Sequence, residues 1–265
     1  MLAERRRREI LALVMKQGEV EIQELANKYC VSAMTIRRDL EILASEGLLH
    51  RTHGGAVHPA GGIAELSIDV KRASHPLEKR QIAEIAVQFV EPGMSVLLDA
   101  GTTTLPLAER LVDRVPLRVL TTDLTIARLL SDTKEIEVYM IGGLVKPEIY
   151  STDGELAIQM LSSLFVDIAF IGCDSFTSEV AMSRSVHKAA LKRAMMKAAH
   201  RKILLADSSK FGQHSFQRIA ELQEFDAVVT DAAFPEDARE VLADLGIDLV
   251  LPNVLPGHPE CFTKT

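Results

Sequence analysis

Two sets of residues in this chain could hold phosphate. The first is Ser32-Ala33-Met34-Thr35-Ile36-Arg37-Arg38, followed by Arg51, His53 and the pair Gly54-Gly55. Adjacent arginines near a helix start can fork onto guanine O6 and N7 or clamp a backbone phosphate. Ser32 is a good N-cap, so a helix is expected to start there with its first turn open to solvent. The second set is Asp99-Ala100-Gly101-Thr102-Thr103-Thr104, with Thr121, Gly142-Gly143, Gly172-Cys173-Asp174 and Asp207-Ser208-Ser209-Lys210 further along. Glycine lets a backbone approach a ligand closely, and threonine hydroxyls and the free N–H groups of a helix start donate to anions. Lys210 is the cation best placed to answer a phosphate. Asp99 would repel one, so its expected partners are sugar hydroxyls or the threonine loop.

The elements that must position the first set are legible from periodicity. Ile36, Leu40 and Leu43 recur at i, i+4 and i+7, one face of a helix, and Ala33, Met34, Arg37 and Arg38 lie off that face. Ile10, Leu13 and Val14 form one side of an earlier helix, from about Glu4 to Gln17, which Gly18 ends. Ile22, Leu25, Ala26 and Tyr29 form the buried side of a second, and Cys30-Val31 connects it tightly to Ser32. Leu48 to Arg51 and Ala56 to His58 read as two strands of a hairpin around Gly54-Gly55, one of which is expected to need positive φ. The pattern is a winged helix-turn-helix, a shape that puts a helix in the major groove and sets Arg51 and His53 against the backbone or minor groove.

The run Thr35-Ile36-Arg37-Arg38-Asp39-Leu40, with Gly47-Leu48 and His53-Gly54-Gly55-Ala56 after it, resembles the DNA-binding domain of the DeoR family of bacterial sugar-responsive regulators. The resemblance spans residues 1–58 and implies a double-stranded DNA operator as partner.

His58-Pro59-Ala60-Gly61-Gly62 breaks the pattern and reads as the start of a linker over 59–76. From Leu77 the chain alternates helix and strand patterns to about residue 252, with a tail over 253–265. Alternation of this kind implies an α/β domain whose mostly parallel sheet is covered on both faces and binds ligands at the C-terminal ends of its strands. The second phosphate-binding set falls at those ends. Their order resembles the DeoR-type sensor domain, similar in fold to ribose-5-phosphate isomerase and the coenzyme A transferases. That resemblance implies a pocket for a phosphorylated sugar lined by Asp99, Gly101, Thr102, Thr103, Thr121, Gly142, Gly172, Asp174 and Lys210. Thr104 and Gly143 join them as neighbours in the same runs. Two positions depart from the pattern: Lys188-Ala189 where Glu-Ala is frequent, and Thr122-Asp123 where Thr-Asn is usual.

Charge bounds the partners. Residues 1–58 carry nine Lys/Arg against eight Asp/Glu, a net of +1, and the remainder carries 21 against 29, a net of −8. DNA affinity must therefore come from a local patch, for which Arg5 to Arg8, Lys28, Arg37, Arg38 and Arg51 are candidates. The patch is modest for one copy, so a homo-oligomer, at least a dimer, is expected. No apolar run approaches the ~20 residues of a membrane span. The charged start Met1 to Arg5 lacks a leader-like apolar core, so a cytoplasmic protein without a membrane partner is expected. Cys30, Cys173 and Cys261 form no C-x-x-C pair, and His258 with Cys261 reads as a loose tail, so no metal or cofactor is expected. The competing functions are a sugar-phosphate isomerase with an appended DNA-binding domain and a winged-helix adaptor with a vestigial pocket. Isomerisation needs a carboxylate base beside the substrate carbonyl. The isomerases of similar fold carry an acid-rich run where this chain has Ile171-Gly172-Cys173-Asp174-Ser175-Phe176, so binding without turnover is expected.

Overall fold

The computed structural model describes residues 3–17, 19–46, 48–52, 54–57, 68–146 and 149–252. Gly18, Gly47, His53, the linker run 58–62 and the tail with His258 and Cys261 lie outside the described residues. The chain forms two compact units, residues 1–74 and 75–265.

In the first unit α1 (Ala3–Gln17), β1 (Glu19–Glu21), α2 (Ile22–Tyr29), α3 (Ala33–Ser45), β2 (His50–Arg51), β3 (Gly55–Val57) and α4 (Ile68–Ala73) follow in order. Ile10, Val14, Ile22, Leu25, Ile36, Leu40 and Leu43 make one core. Cys30 caps α2 in the left-handed region at φ 52°, so the chain turns sharply and Val31 N–H bonds the Ala26 carbonyl at 3.1 Å. That turn sets the α2–α3 angle. The wing is a three-stranded antiparallel sheet in the order β1-β3-β2, one strand more than expected. The expected strand over Leu48–Arg51 is shortened to His50–Arg51, because Leu48 N–H closes α3 on the Leu43 carbonyl and Leu48 and Leu49 are buried. Gly55 does not have positive φ, so that expectation does not hold for it. Gly55 is needed for another reason: a Cβ there would stand 1.8 Å from the Val20 carbonyl oxygen of β1. Helix α4 lies within the stretch read as linker.

The second unit runs through α5 (Pro76–Ala86), β4 (Ser95–Leu98), α6 (Thr104–Leu111), β5 (Leu117–Thr121), α7 (Leu124–Ser131) and β6 (Ile136–Met140). It continues with β7 (Leu144–Lys146), β8 (Ser151–Asp153), α8 (Glu155–Leu161), β9 (Val166–Gly172), β10 (Ser175–Phe176) and β11 (Val180–Ser183). It ends with α9 (Val186–Lys197), β12 (Ala199–Leu205), β13 (Gln217–Glu221), β14 (Ala227–Val229), α10 (Glu236–Asp244) and β15 (Leu249–Val250). Seven strands form a parallel sheet in the order β15-β14-β12-β9-β4-β5-β6. Its inner strands carry apolar runs, such as Val96–Leu98 of β4, Ile168–Ile171 of β9 and Ile203–Leu205 of β12, because both faces are covered there, whereas edge strand β6 alternates. Ile82, Leu107, Leu111, Ile126 and Leu130 of α5, α6 and α7 pack on one face; Ala157, Leu161, Ala189, Met195 and Leu242 of α8, α9 and α10 pack on the other. Two small antiparallel additions, β7–β8 and β10-β11-β13, were not expected. From β4 the chain builds outward through β5 to β6. From β9 it builds outward the other way. The sheet therefore reverses direction between β4 and β9, and a crevice opens at their C-terminal ends.

Candidate nucleic-acid interface and effector site

Helix α3 begins as its sequence dictates. Ser32 sits at φ −67°, ψ 151°, and its Oγ accepts from Thr35 N–H at 3.1 Å. The Thr35 hydroxyl lies 2.9 Å from Ser32 Oγ, so Thr35 completes the cap. Met34 is 68% exposed. Arg37 and Arg38 are exposed and have no ion-pair or hydrogen-bond partner among the described residues. Ala33 departs from the expectation: it packs against the core beside Val31.

Of the other expected cations, Lys28 is exposed with its ammonium over the Tyr29 ring, and the arginines are engaged. Arg6 is buried and donates to Asp39 Oδ2 at 2.6 Å, and Arg7 lies 3.8 Å from Asp39 Oδ1. Arg5 pairs with Glu9 and Arg8 with Glu4, each one helical turn away. Of the Arg5–Arg8 run, Arg6 and Arg7 are thus turned to the buried Asp39, while Arg5 and Arg8 stay exposed in surface pairs that a phosphate could replace. Asp39 was missed as a functional residue; its signal was an acid placed beside Leu40 on the apolar face of α3. Arg51 on the wing donates to Glu41 of α3 at 2.7 Å, with both side chains partly exposed. A surface pair of this kind contributes roughly 0–1 kcal/mol, so a phosphate can replace the carboxylate at little cost.

In the second unit Asp99 ends β4 at the reversal point and is 4% exposed. Its Oδ2 accepts from Gly172 N–H at 2.9 Å, bridging β4 to β9. The same oxygen is the counterion of Lys192 on α9. Lys192, itself buried, was missed. Its signal was a cation on the buried face of α9, between Ala189 and Met195. Thr104 Oγ1 donates to the carbonyls of Asp99 at 2.7 Å and Gly101 at 3.0 Å. Its hydroxyl therefore closes the loop and does not serve as a ligand donor. Thr103 is buried at the N-cap position of α6 without a side-chain cap bond, and Gly101 and Thr102 are half-buried. Thr121 Oγ1 accepts from Asp123 N–H at 3.0 Å. Asp123 caps α7, accepting from Thr125 and Ile126 N–H at 2.8 and 3.1 Å. Burial pushes its carboxyl up, and those backbone bonds pull only part of the way back. An Asn would make the same cap, so this departure changes charge without changing geometry.

Gly142 is exposed, whereas Gly143 sits at φ 151° with a would-be Cβ 2.5 Å from the Asp153 carbonyl, so it serves the β7–β8 hairpin. Asp174 Oδ2 accepts from Ser183 Oγ and Arg184 N–H, each at 3.0 Å, tying the end of β9 to the loop before α9. Lys210 Nζ lies 3.7 Å from Asp207 Oδ2. Burial pushes the Asp207 carboxyl up, but the Lys210 ammonium and a Ser209 hydroxyl outweigh it and hold Asp207 below the ordinary carboxylate value. Burial pushes the Cys173 thiol up to about 12, so it stays protonated and inert.

A small recess with room for about one water lies beside the end of β4, lined by Asp99, Thr122, Ser151, Asp153, Lys188 and Leu191 among others. Of the expected ligand residues only Asp99 stands on this wall; Lys210 and the glycine–threonine loop lie outside it. Ser151, Thr152 and Asp153 of β8 were missed because three residues in a short hairpin carry no periodic signal. Thr122 is fully buried, and its hydroxyl has no hydrogen-bond partner. No group of three or more His, Cys, Asp or Glu among the described residues could hold a metal ion, and no helix among them is long and apolar enough to cross a membrane.

Residues 6–60 match the DeoR-like helix-turn-helix domain and residues 74–232 the DeoR C-terminal sensor domain. An uncharacterized HTH-type transcriptional regulator, YgbI of Escherichia coli (strain K12), is 37% identical over 95% of this chain and 98% of its own length. The glycerol-3-phosphate regulon repressor of the same strain is 31% identical over 91% of this chain and 96% of its own. Among solved structures, ribose 5-phosphate isomerase A from Methanocaldococcus jannaschii aligns with a TM-score of 0.40 at 21% identity, covering 52% of this chain and 55% of that one.

Proposed function

The chain belongs to the DeoR family, and from that premise we propose that it is a DNA-binding repressor of carbohydrate-metabolism genes that leaves its operator when a phosphorylated sugar binds. The observation that carries the DNA half is the contrast along α3. Asp39 on the inner face is neutralised by Arg6 and Arg7, while Arg37 and Arg38 on the outer face are exposed without partners among the described residues. An arginine pair held on a capped, rigid helix is suited to one base contact and one phosphate contact. Residues 1–58 act as the DNA-binding domain and 77–252 as the effector domain, joined by 59–76. Two copies working together double the phosphate contacts of a modest patch.

The effector half rests on the reversal point, where Asp99, Gly172 and Lys192 tie the two halves of the sheet together. Lys210 serves as phosphate partner by exchanging Asp207 for the ligand, and Gly101 to Thr103 supply donors. Release follows if the ligand favours a pairing of the DNA-binding domains that does not fit the operator. Turnover is not proposed. Asp174, the acid in the stretch that stands where the isomerases are acid-rich, accepts from the Ser183 hydroxyl and the Arg184 N–H, and the full-length relatives are transcriptional regulators. The test is a thermal-shift screen of the intact protein against sugar phosphates and their unphosphorylated parents, with product analysis on every hit. Stabilisation by phosphates alone and unchanged ligand is the expected result; turnover, or equal shifts from the parents, contradicts it.

A further inference from the structure

Strand β7 is an edge with apolar side chains on both of its faces. Among the described residues it pairs with β8 alone, in the register Leu144–Asp153, Val145–Thr152 and Lys146–Ser151. β8 is held from its other side as well: Ser151 bridges Asp123, and Thr152 N–H bonds the Thr122 carbonyl at 2.8 Å. The three residues of β8 are buried, so β7 is the outer strand and its far edge is open among the described residues. Neighbours on a strand point to opposite faces, yet Leu144 is 68% exposed and Val145 49%. Tyr150 and Leu124 extend this apolar surface. Tyr150 sits in the left-handed region at φ 54°, its carbonyl accepts from Leu124 N–H at 2.9 Å, and both side chains are exposed. Lys146 is the only charged residue of β7. An open apolar edge of this kind pairs with another strand unless charges, prolines or a covering element protect it.

A partner packed on one face of the hairpin would cover Leu144 or Val145 but not both, whereas a strand added along the edge covers both. The strand that fits without further requirement is β7 of a second copy, because an antiparallel pair of identical strands is two-fold symmetric and closes as a dimer. Centred on Val145, such a pair sets Val145 against its copy and Leu144 against Lys146, which keeps the two lysines apart. We propose that two copies of the chain join through β7 in this way, with Leu144, Val145, Tyr150 and Leu124 as the apolar core of the contact. A standard interface takes roughly 800 Å² from each partner, about 500 Å² of it apolar in homodimers. These four side chains supply on the order of 400 Å². The inference rests on the two-copy reading above and locates it. It also puts the contact one strand from the reversal point, because β8 lines the recess beside Asp99 with Ser151, Thr152 and Asp153. A ligand that moves β8 moves the strand that joins the copies.

The test is the mass of the full chain in solution, measured by sedimentation across the micromolar range. The wild type should run as an even number of chains. Val145→Lys and Val145→Glu each set like charges directly opposite one another, so each should run at half the wild-type mass or less while keeping the wild-type circular dichroism. An equimolar mixture of the two variants should recover the wild-type mass, because the opposed charges then attract; a folding defect or a contact with some other surface would not be rescued in this way. Phe165→Lys changes an equally exposed apolar side chain (72%) just before β9 and should leave the mass unchanged. If the wild type is oligomeric and both Val145 variants keep its mass, or if their mixture stays dissociated, this inference is overturned while the two-copy reading stands. If the wild type is a monomer, both fall.

Discussion

The two units use their cations in opposite ways. The N-terminal unit buries one arginine, Arg6, to fix α3 from behind and leaves Arg37 and Arg38 exposed on its front. The C-terminal unit tethers Lys192 to Asp99 and Lys210 to Asp207. Uncompensated charge on an open face suits a polyanion, whose condensed counterions are released on binding. Charge already paired inside a crevice suits a small ligand that must exchange partners, because the exchange makes binding selective and moves something else. The difference also fits DNA binding by a chain of net charge −7: the two arginines proposed to contact DNA are locally uncompensated.

The comparison can be broken most severely at the buried pair. Arg6→Ala leaves Asp39 buried and short of its main counterion, which should destabilise the N-terminal unit by about 3–5 kcal/mol. The double change Arg6→Met, Asp39→Leu should recover much of that loss. Urea melts followed by a probe in residues 1–74 check this, and a loss below about 1 kcal/mol for Arg6→Ala would mean the pair does not hold α3. Next in size is the displayed pair. Arg37→Ala and Arg38→Ala should leave stability unchanged, and the base-reading one of the two should cost roughly 1–3 kcal/mol of operator binding and relax specificity at one position. Wild-type affinity in both variants at matched salt would remove the recognition assignment. Arg51→Ala should have a smaller effect, lowering the salt slope of DNA binding by about 1 if Arg51 trades Glu41 for a phosphate; an unchanged slope would make the wing contact purely structural.

The smallest effect concerns pH. Asp123 has a carboxyl raised by burial, so its ionised form is disfavoured in the fold, and stability from this group grows as pH falls toward the ordinary carboxylate value. Asp207 is depressed, so its contribution is present above that value and lost as pH falls through the folded one. Asp123→Asn keeps the α7 cap and should raise the melting temperature slightly at pH 7, with the gain vanishing in acid. A lower melting temperature at pH 7 would show that the charge at 123 is needed.

What the sequence revealed was whatever is local. The α3 helix, its Ser32 cap and the outward arginines follow from spacing over a dozen residues, and the strand ends of the sheet follow from alternating helix and strand patterns. What it hid were pairings across the chain. Arg6 meets Asp39 33 residues away, and Lys192 meets Asp99 93 residues away; no periodic signal links such partners. Thr104 and Gly143 looked like ligand contacts because their residue types suit both a ligand and a turn, and the geometry shows them closing a loop and a hairpin. Gly55 was legible as a required glycine, but the cause, the approach of β1, was not.

The most direct test of the account is DNA binding by the intact protein, followed by anisotropy on duplexes from upstream of its own gene, with and without a sugar-phosphate panel. At least one phosphate should weaken wild-type binding ten-fold or more, a coupling of about 1.4 kcal/mol. Lys210→Ala should bind the same DNA equally well without ligand and fail to respond. A wild type indifferent to every phosphorylated sugar, or a Lys210→Ala variant that releases DNA as the wild type does, would contradict it.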